Sequence, residues 1–163
     1  MPGSSARVTG GGLTLGCFEV AGRIYGLDVA RIREVVRWQP TTPLPGAPPL
    51  IDGVVDLRGG VVPVVDLGLA LGVDAIDVTP RARIAITESG DGIVGLAVEA
   101  AIEVVSVEVS DLSSPPALAG EMGNSLTAAV VRRSDAQPIV VLSLEQLLEN
   151  VRRSNSWVDE ASP

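Results

Sequence analysis

The apolar positions of this chain fall into short, β-branched runs separated by glycine, proline and aspartate, the pattern of a strand-rich protein with tight turns. Residues 15–20 read as a strand, Ala21-Gly22-Arg23 as a turn, and residues 24–27 as the returning strand of a hairpin. Asp28 is placed to cap a short helix over residues 29–37, in which Val29, Ile32 and Val36 share one face. Proline recurs through residues 40–49, so that stretch wraps the surface. Residues 53–57 and 61–65 form the next two strands. They meet through Leu57-Arg58-Gly59-Gly60, where the Gly-Gly pair supplies positive φ for a tight turn that lifts Arg58 out of an apolar ribbon. Pro63 interrupts the second of these strands and marks an edge or a bulge, a place where another protein can dock. Asp66 is placed to cap a short helical turn ending at Leu71.

The second half of the chain repeats this order. Ile24-Tyr25-Gly26-Leu27-Asp28-Val29 is echoed 69 residues later by Ile93-Val94-Gly95-Leu96-Ala97-Val98, and Glu34-Val35-Val36 at the same offset by Glu103-Val104-Val105. Val64-Val65-Asp66-Leu67 returns as Val141-Leu142-Ser143-Leu144, each followed by an apolar helical segment with Asp66 or Ser143 as its cap. Two related β-rich halves account for this order, each a bent sheet or barrel closing on itself, with an interface between them completing the core.

Composition narrows the chemistry. The chain is 46% hydrophobic but only 2% aromatic, so Val, Ile, Leu and Ala build the core. The net charge of −8 would repel a phosphate backbone, which argues against nucleic-acid binding. There is no histidine and no lysine. Imidazole bases and ligands, the P-loop lysine and Schiff-base chemistry are therefore excluded. Cys17 is the single cysteine and sits in an apolar run, so it reads as a packing residue in a reducing compartment. No apolar run is long enough to span a bilayer, and the sequence predicts a soluble cytoplasmic protein without cofactor or metal. Residues 1–13 and 152–163 read as polar tails, with Trp157 in the second, around one unit over residues 14–151.

Carboxylates are the only catalytic-type groups in number. Asp52 and Asp56 would share one face of a strand roughly 13 Å apart, too far for an acid–base pair. Asp52, Asp56 or Asp66 as a hydrolase centre is the enzymatic alternative; capping or solvated aspartates is the other. Glu34 and Arg58 are candidates for a partly exposed ion pair.

Taken in order, these motifs resemble the CheW family, the coupling proteins of bacterial chemosensory arrays. The matching residues run from Phe18 through Val29, then Ile32-Arg33-Glu34-Val35, Leu44-Pro45-Gly46-Ala47-Pro48, Ile51-Asp52-Gly53-Val54-Val55-Asp56-Leu57-Arg58-Gly59 and Val62-Pro63-Val64-Val65-Asp66-Leu67. The resemblance implies a mainly β fold of two SH3-like five-stranded barrels packed around a shared apolar core, with a few short helices. It implies a non-catalytic adaptor that binds the regulatory domain of a CheA-type histidine kinase and the cytoplasmic tip of methyl-accepting receptors, at membrane-associated arrays; two β-rich halves create a groove between them, and an apolar groove can accept a receptor helix tip. Arg58 maps to the receptor-facing arginine of the family's LRG motif, with Leu57 and Asp56 beside it, and Glu34 to its acidic partner motif. Ile32, Gly53 and Val54 map to the kinase-binding surface. Asp56 stands where the family commonly has asparagine, residues 68–71 are more apolar than usual, and residues 113–125 match only loosely. These departures suit service in an accessory pathway of the pilus, gliding or developmental kind as an alternative to flagellar chemotaxis.

Overall fold

The computed structural model describes residues 12–90, 92–114 and 126–154. Most of both expected tails, including Trp157, and most of residues 113–125 lie outside the described residues. The elements run β1 (Gly12–Val20), β2 (Arg23–Asp28), β3 (Ile32–Arg37), β4 (Ile51–Leu57), β5 (Gly60–Asp66), α1 (Leu67–Ala70), β6 (Arg83–Ser89), β7 (Gly92–Val98), β8 (Ala100–Glu108), β9 (Leu112–Ser113), β10 (Thr127–Val131), β11 (Ile139–Leu142) and α2 (Leu144–Arg153). Gly12 and the buried Leu13 thus belong to β1, and Arg152 and Arg153 to α2, rather than to tails.

Two sheets carry these strands. The first has the order β8-β1-β2-β11-β10-β9 and the second β3-β6-β7-β5-β4. Both repeat one pattern. A hairpin, β1–β2 or β6–β7, is flanked antiparallel by β8 or β3 and parallel by β11 or β5, which pairs in turn with β10 or β4. The internal repeat is therefore present, but neither half closes on itself. The hairpin of each half is inserted among strands of the other, so the halves interlock and neither has a complete sheet alone.

The second sheet is curled, as a barrel requires. After β3 the chain crosses through the proline-rich loop and bridges back to the free edge of β4, where Thr42 and Val54 exchange hydrogen bonds of 2.8 and 2.9 Å. Asp52 accepts a 2.6 Å bond from the Thr41 hydroxyl at the same place. Gly53 lies beneath this strap: a Cβ there would stand 2.5 Å from the Thr42 carbonyl oxygen and 2.9 Å from Thr41 Cβ.

The larger core cluster draws on both sheets and both helices, with Phe18, Val20 and Leu27 from the first sheet meeting Val64, Ile84 and Leu96 from the second. A smaller cluster of Leu13, Leu15, Cys17, Val107, Val131, Ile139 and Val141 fills the first sheet's own interior. In α2 the buried Leu144, Leu147, Leu148 and Val151 recur at helical spacing, and burial of each contributes roughly 1.5–3 kcal/mol. Ser143 caps that helix through the Gln146 N–H, and Arg152 and Arg153 in the last turn complement its dipole. No helix among the described residues is long and apolar enough to cross a membrane.

Two local expectations are corrected. Asp28 does cap, accepting from the Ala30 N–H, but only one 3-10 turn (Val29–Arg31) follows before the chain extends into β3. Of the edge or bulge expected at Pro63, the edge is absent, since β5 lies between β4 and β7, while the β4–β5 register shifts beside it between Ile51 and Gly53; pairing with β7 begins one residue after the proline, at Val64.

Candidate functional site

Leu57 pairs with Gly60, so the β4–β5 turn consists of Arg58 and Gly59, with φ of +53° and +80°. This is the two-residue geometry that matches strand twist. The positive-φ residues are thus Arg58-Gly59 rather than the Gly-Gly pair. A left-handed backbone at a non-glycine residue costs about 1–2 kcal/mol, and it aims the Arg58 side chain away from the sheet. Its guanidinium reaches Glu34 on β3 at 2.8 Å, with the arginine side chain 80% exposed and the glutamate 29%. The β4–β5 hairpin and β3 are separated in the sheet order by β6 and β7, so this ion pair spans the curl of the second sheet. Asp56 is exposed on the outer face of the ribbon, across from Val61, which at 68% is the most exposed large apolar residue among the described residues.

Val35 follows Glu34 and opens onto an apolar groove of about 340 Å³ between the two sheets. Val29, Ile32 and Val35 form one wall, and Ile102, Glu103 and Val104 of β8 the other. Gly16, Cys17 and Phe18 of β1 form the floor, where Gly16 leaves room for the Ile32 side chain: a Cβ there would be 2.6 Å from Ile32 Cδ1. Val29, Val35, Ile102 and Val104 are all more than a third exposed. The groove is where β3 and β8, topologically equivalent edge strands, face each other. Val35 and Val104 occupy echoed positions in the repeat, a signal that was present in the sequence but pointed only to strands.

The structure places Arg58, Leu57 and Asp56 on one hairpin, and Arg58 ties that hairpin to Glu34 of β3 across the sheet. Ile32 belongs to the groove wall, while Gly53 is buried under the Thr41–Thr42 strap and Val54 is half-buried on the outer face of β4. Asp66 is 8% exposed, accepting from the Leu69 N–H at 3.1 Å and the Ile76 N–H at 3.2 Å. Among the described residues no three carboxylate or cysteine side chains gather as a metal site.

Cys17 is 2% exposed. Burial, with the Glu103 carboxylate adding to it and Arg133 opposing, pushes its thiol from 9.0 up to about 11. The folded state keeps this proton where the unfolded chain loses it. Stability from this group is therefore complete below pH 9 and declines between pH 9 and 11, by about 2–3 kcal/mol. Burial also raises Tyr25, which acts in the same direction above pH 10. Urea midpoints measured from pH 8 to 10.5 should fall, and Cys17→Ala should flatten the first part of the decline; a flat wild-type profile would contradict this.

The fold and these motifs have counterparts in known proteins. A family model described as a CheW-like domain matches residues 14–152. Chemotaxis protein CheW of Rhizobium meliloti (strain 1021) is 29% identical, with 94% of this chain and 98% of that protein aligned. Chemotaxis protein CheW of Bacillus subtilis (strain 168) is 31% identical over 89% of this chain and 86% of that protein, and Protein FrzA of Myxococcus xanthus 30% identical over 84% and 86%. The crystal structure of the scaffolding protein TtCheW from Thermoanaerobacter tengcongensis superposes with a TM-score of 0.74 at 28% identity, covering 83% of this chain and 86% of that one. With nearly all of its strands inside the matched segment, this chain belongs to the family of CheW-like domains.

Proposed function

We propose that this protein is a non-catalytic adaptor that couples methyl-accepting chemoreceptors to a CheA-type histidine kinase. The observation that carries the reading is the exposed apolar groove between the sheets. Four partly exposed aliphatic side chains in a trough fit the apolar stripe of an amphipathic helix such as a receptor tip. Ile32, which the resemblance maps to the kinase surface, lines the groove wall and joins the receptor surface in this reading, and Arg58, Glu34, Leu57 and Asp56 supply the charged and polar part of that surface at the β4–β5 tip. The kinase docks on the outer face of the β4–β5 ribbon, where Val54, Pro63 and the exposed Val61 line up, and Gly53 shapes that face from beneath. Coupling then needs only different affinities for two receptor states. The aspartates support the absence of catalysis: Asp66 is committed to backbone N–H groups, Asp52 is bonded to Thr41, and Asp56 stands apart on the ribbon.

Pull-down with the kinase regulatory domain and with a receptor-tip fragment from the same organism tests this. Both should bind the wild type, and Arg58→Glu should weaken capture of the receptor fragment about tenfold while leaving kinase capture unchanged. Failure of either fragment to bind at tens of micromolar would overturn the proposal. The likeness to FrzA is compatible with a second reading, a scaffold serving an accessory pathway, and the kinase and receptor genes adjacent to this one decide between the two.

A further inference from the structure

The groove wall formed by Val29, Ile32 and Val35 is irregular along its length. It starts as a single 3-10 turn, Val29–Arg31, capped by Asp28 through the Ala30 N–H. One paired residue follows, Ile32 opposite Thr87. The register then slips, so that Glu34 lies opposite Ile86 and Arg33 has no opposite residue in the ladder. Pairing is continuous only from Glu34 onward, which holds Val35 but not Val29. Ile32 is nonetheless closely seated, since its Cδ1 fills the space that a Cβ on Gly16 would need.

Arg31 anchors this stretch from behind. In sequence it lies between Val29 and Ile32, yet it is not part of the groove lining, and its side chain is only 15% exposed. Its Nε donates to the Glu88 carbonyl near the end of β6 at 3.1 Å, and its Nη1 pairs with the Glu145 carboxylate. Glu145 stands in the first turn of α2, where the helix dipole favours a carboxylate. α2 itself is packed into the larger core through Leu144, Leu147, Leu148 and Val151. One guanidinium thus ties the irregular wall both to a ladder strand of its own sheet and to the helix that follows β11 of the other. A planar fork with two fixed acceptors restricts where the backbone carrying it can go, which a single point contact would not.

We infer that Arg31 is a positioning residue of the groove. It touches no ligand, and its two-armed anchor holds Val29 and Ile32 where a bound helix meets them. Preorganising these side chains removes an ordering cost that binding would otherwise bear. The consequence for binding rests on the receptor-groove reading above; the anchor itself does not.

The test has one readout in the free protein and one in binding, both taken well below each variant's unfolding midpoint. Arg31→Gln removes the charge and the fork, Arg31→Lys keeps the charge without the fork, and Glu145→Ala severs the α2 arm at an exposed site if Arg31→Gln does not fold. In the free protein, the nuclear Overhauser contact between the Ile32 δ-methyl and the Gly16 α-protons should be strong in the wild type and weakened in Arg31→Gln and Glu145→Ala. Calorimetric titration with the receptor-tip fragment should show Arg31→Gln binding about threefold to tenfold more weakly, with Arg31→Lys regaining part of the loss. Affinity for the kinase regulatory domain should stay at the wild-type value. A merely structural role would lower the unfolding midpoint and leave both the methyl contact and the receptor affinity unchanged, and that result overturns the inference. If Val104→Asp abolishes receptor binding while Arg31→Gln binds as the wild type does, the groove reading stands and this inference falls. If the methyl contact weakens but neither Arg31→Gln nor Val104→Asp affects receptor binding, the groove reading falls and takes the binding role of Arg31 with it, while the anchor remains.

Discussion

Alanine at Gly53 is expected to destabilise the protein by about 1–3 kcal/mol, and valine by more. The added Cβ would meet the Thr42 carbonyl oxygen at 2.5 Å, and Thr41 Cβ and Oγ1 at 2.9 Å. The first of these is backbone, so it cannot turn aside as a long side chain would. Thr42 is fixed in turn by its two hydrogen bonds to Val54, and Thr41 by its bond to Asp52. Relief requires the strap that closes the second sheet to lift from β4, which breaks those bonds and uncovers the edge strand. Kinase binding should fall with stability, since the outer face of β4 is shaped by the strap. Gly90→Ala is the control, because no heavy atom lies within 4 Å of its Cβ position. Urea unfolding of the two variants should separate them clearly; equal midpoints would show that the strap yields freely and that Gly53 carries no packing role.

Much of this architecture was legible in the sequence because it is local. The hairpin at Ala21-Gly22, the caps at Asp28, Asp66 and Ser143, and the apolar helical segment that follows Ser143 depend on neighbours within a few residues. Where the sequence misled, tertiary pairing decided. Residues 32–37 had helical spacing and a good cap, yet Ile32, Val35 and Val36 are β-branched and extend to pair with β6. The exchange of hairpins between halves rests on the parallel pairs β2–β11 and β5–β7, which join segments far apart in the chain and leave no local signature.

The candidate site divides in the same way. The Arg58–Glu34 contact followed from a turn and a family motif. A groove between the two halves was expected, but its lining was not legible, because Val29, Val35, Ile102 and Val104 read as ordinary strand or helix hydrophobics, and their exposure depends on β3 and β8 both being edge strands. Gly53 and Asp66 illustrate the converse. Both belong to motifs that suggest function, and the structure gives each a packing or capping role sufficient to require that residue.

Val104→Asp is expected to abolish receptor binding, by about 100-fold or more, while leaving the fold intact. Val104 is 66% exposed, so an aspartate there remains solvated in the free protein and should change stability by no more than about 0.5 kcal/mol. In the complex the same carboxylate would lie against the apolar stripe of a helix with its water removed. Burying an unpaired charge costs several kcal/mol, and 100-fold corresponds to about 2.7 kcal/mol. Val35→Asp on the facing wall should behave alike, since the two valines are equivalent positions of the repeat. Val61→Asp is the counter-test: equally exposed at 68%, it lies on the β4–β5 ribbon, and should weaken kinase capture while sparing the receptor fragment. Titration of both fragments against the three variants separates the surfaces. Loss of receptor binding in Val61→Asp but not in Val104→Asp would place the receptor on the ribbon and exchange the two assignments.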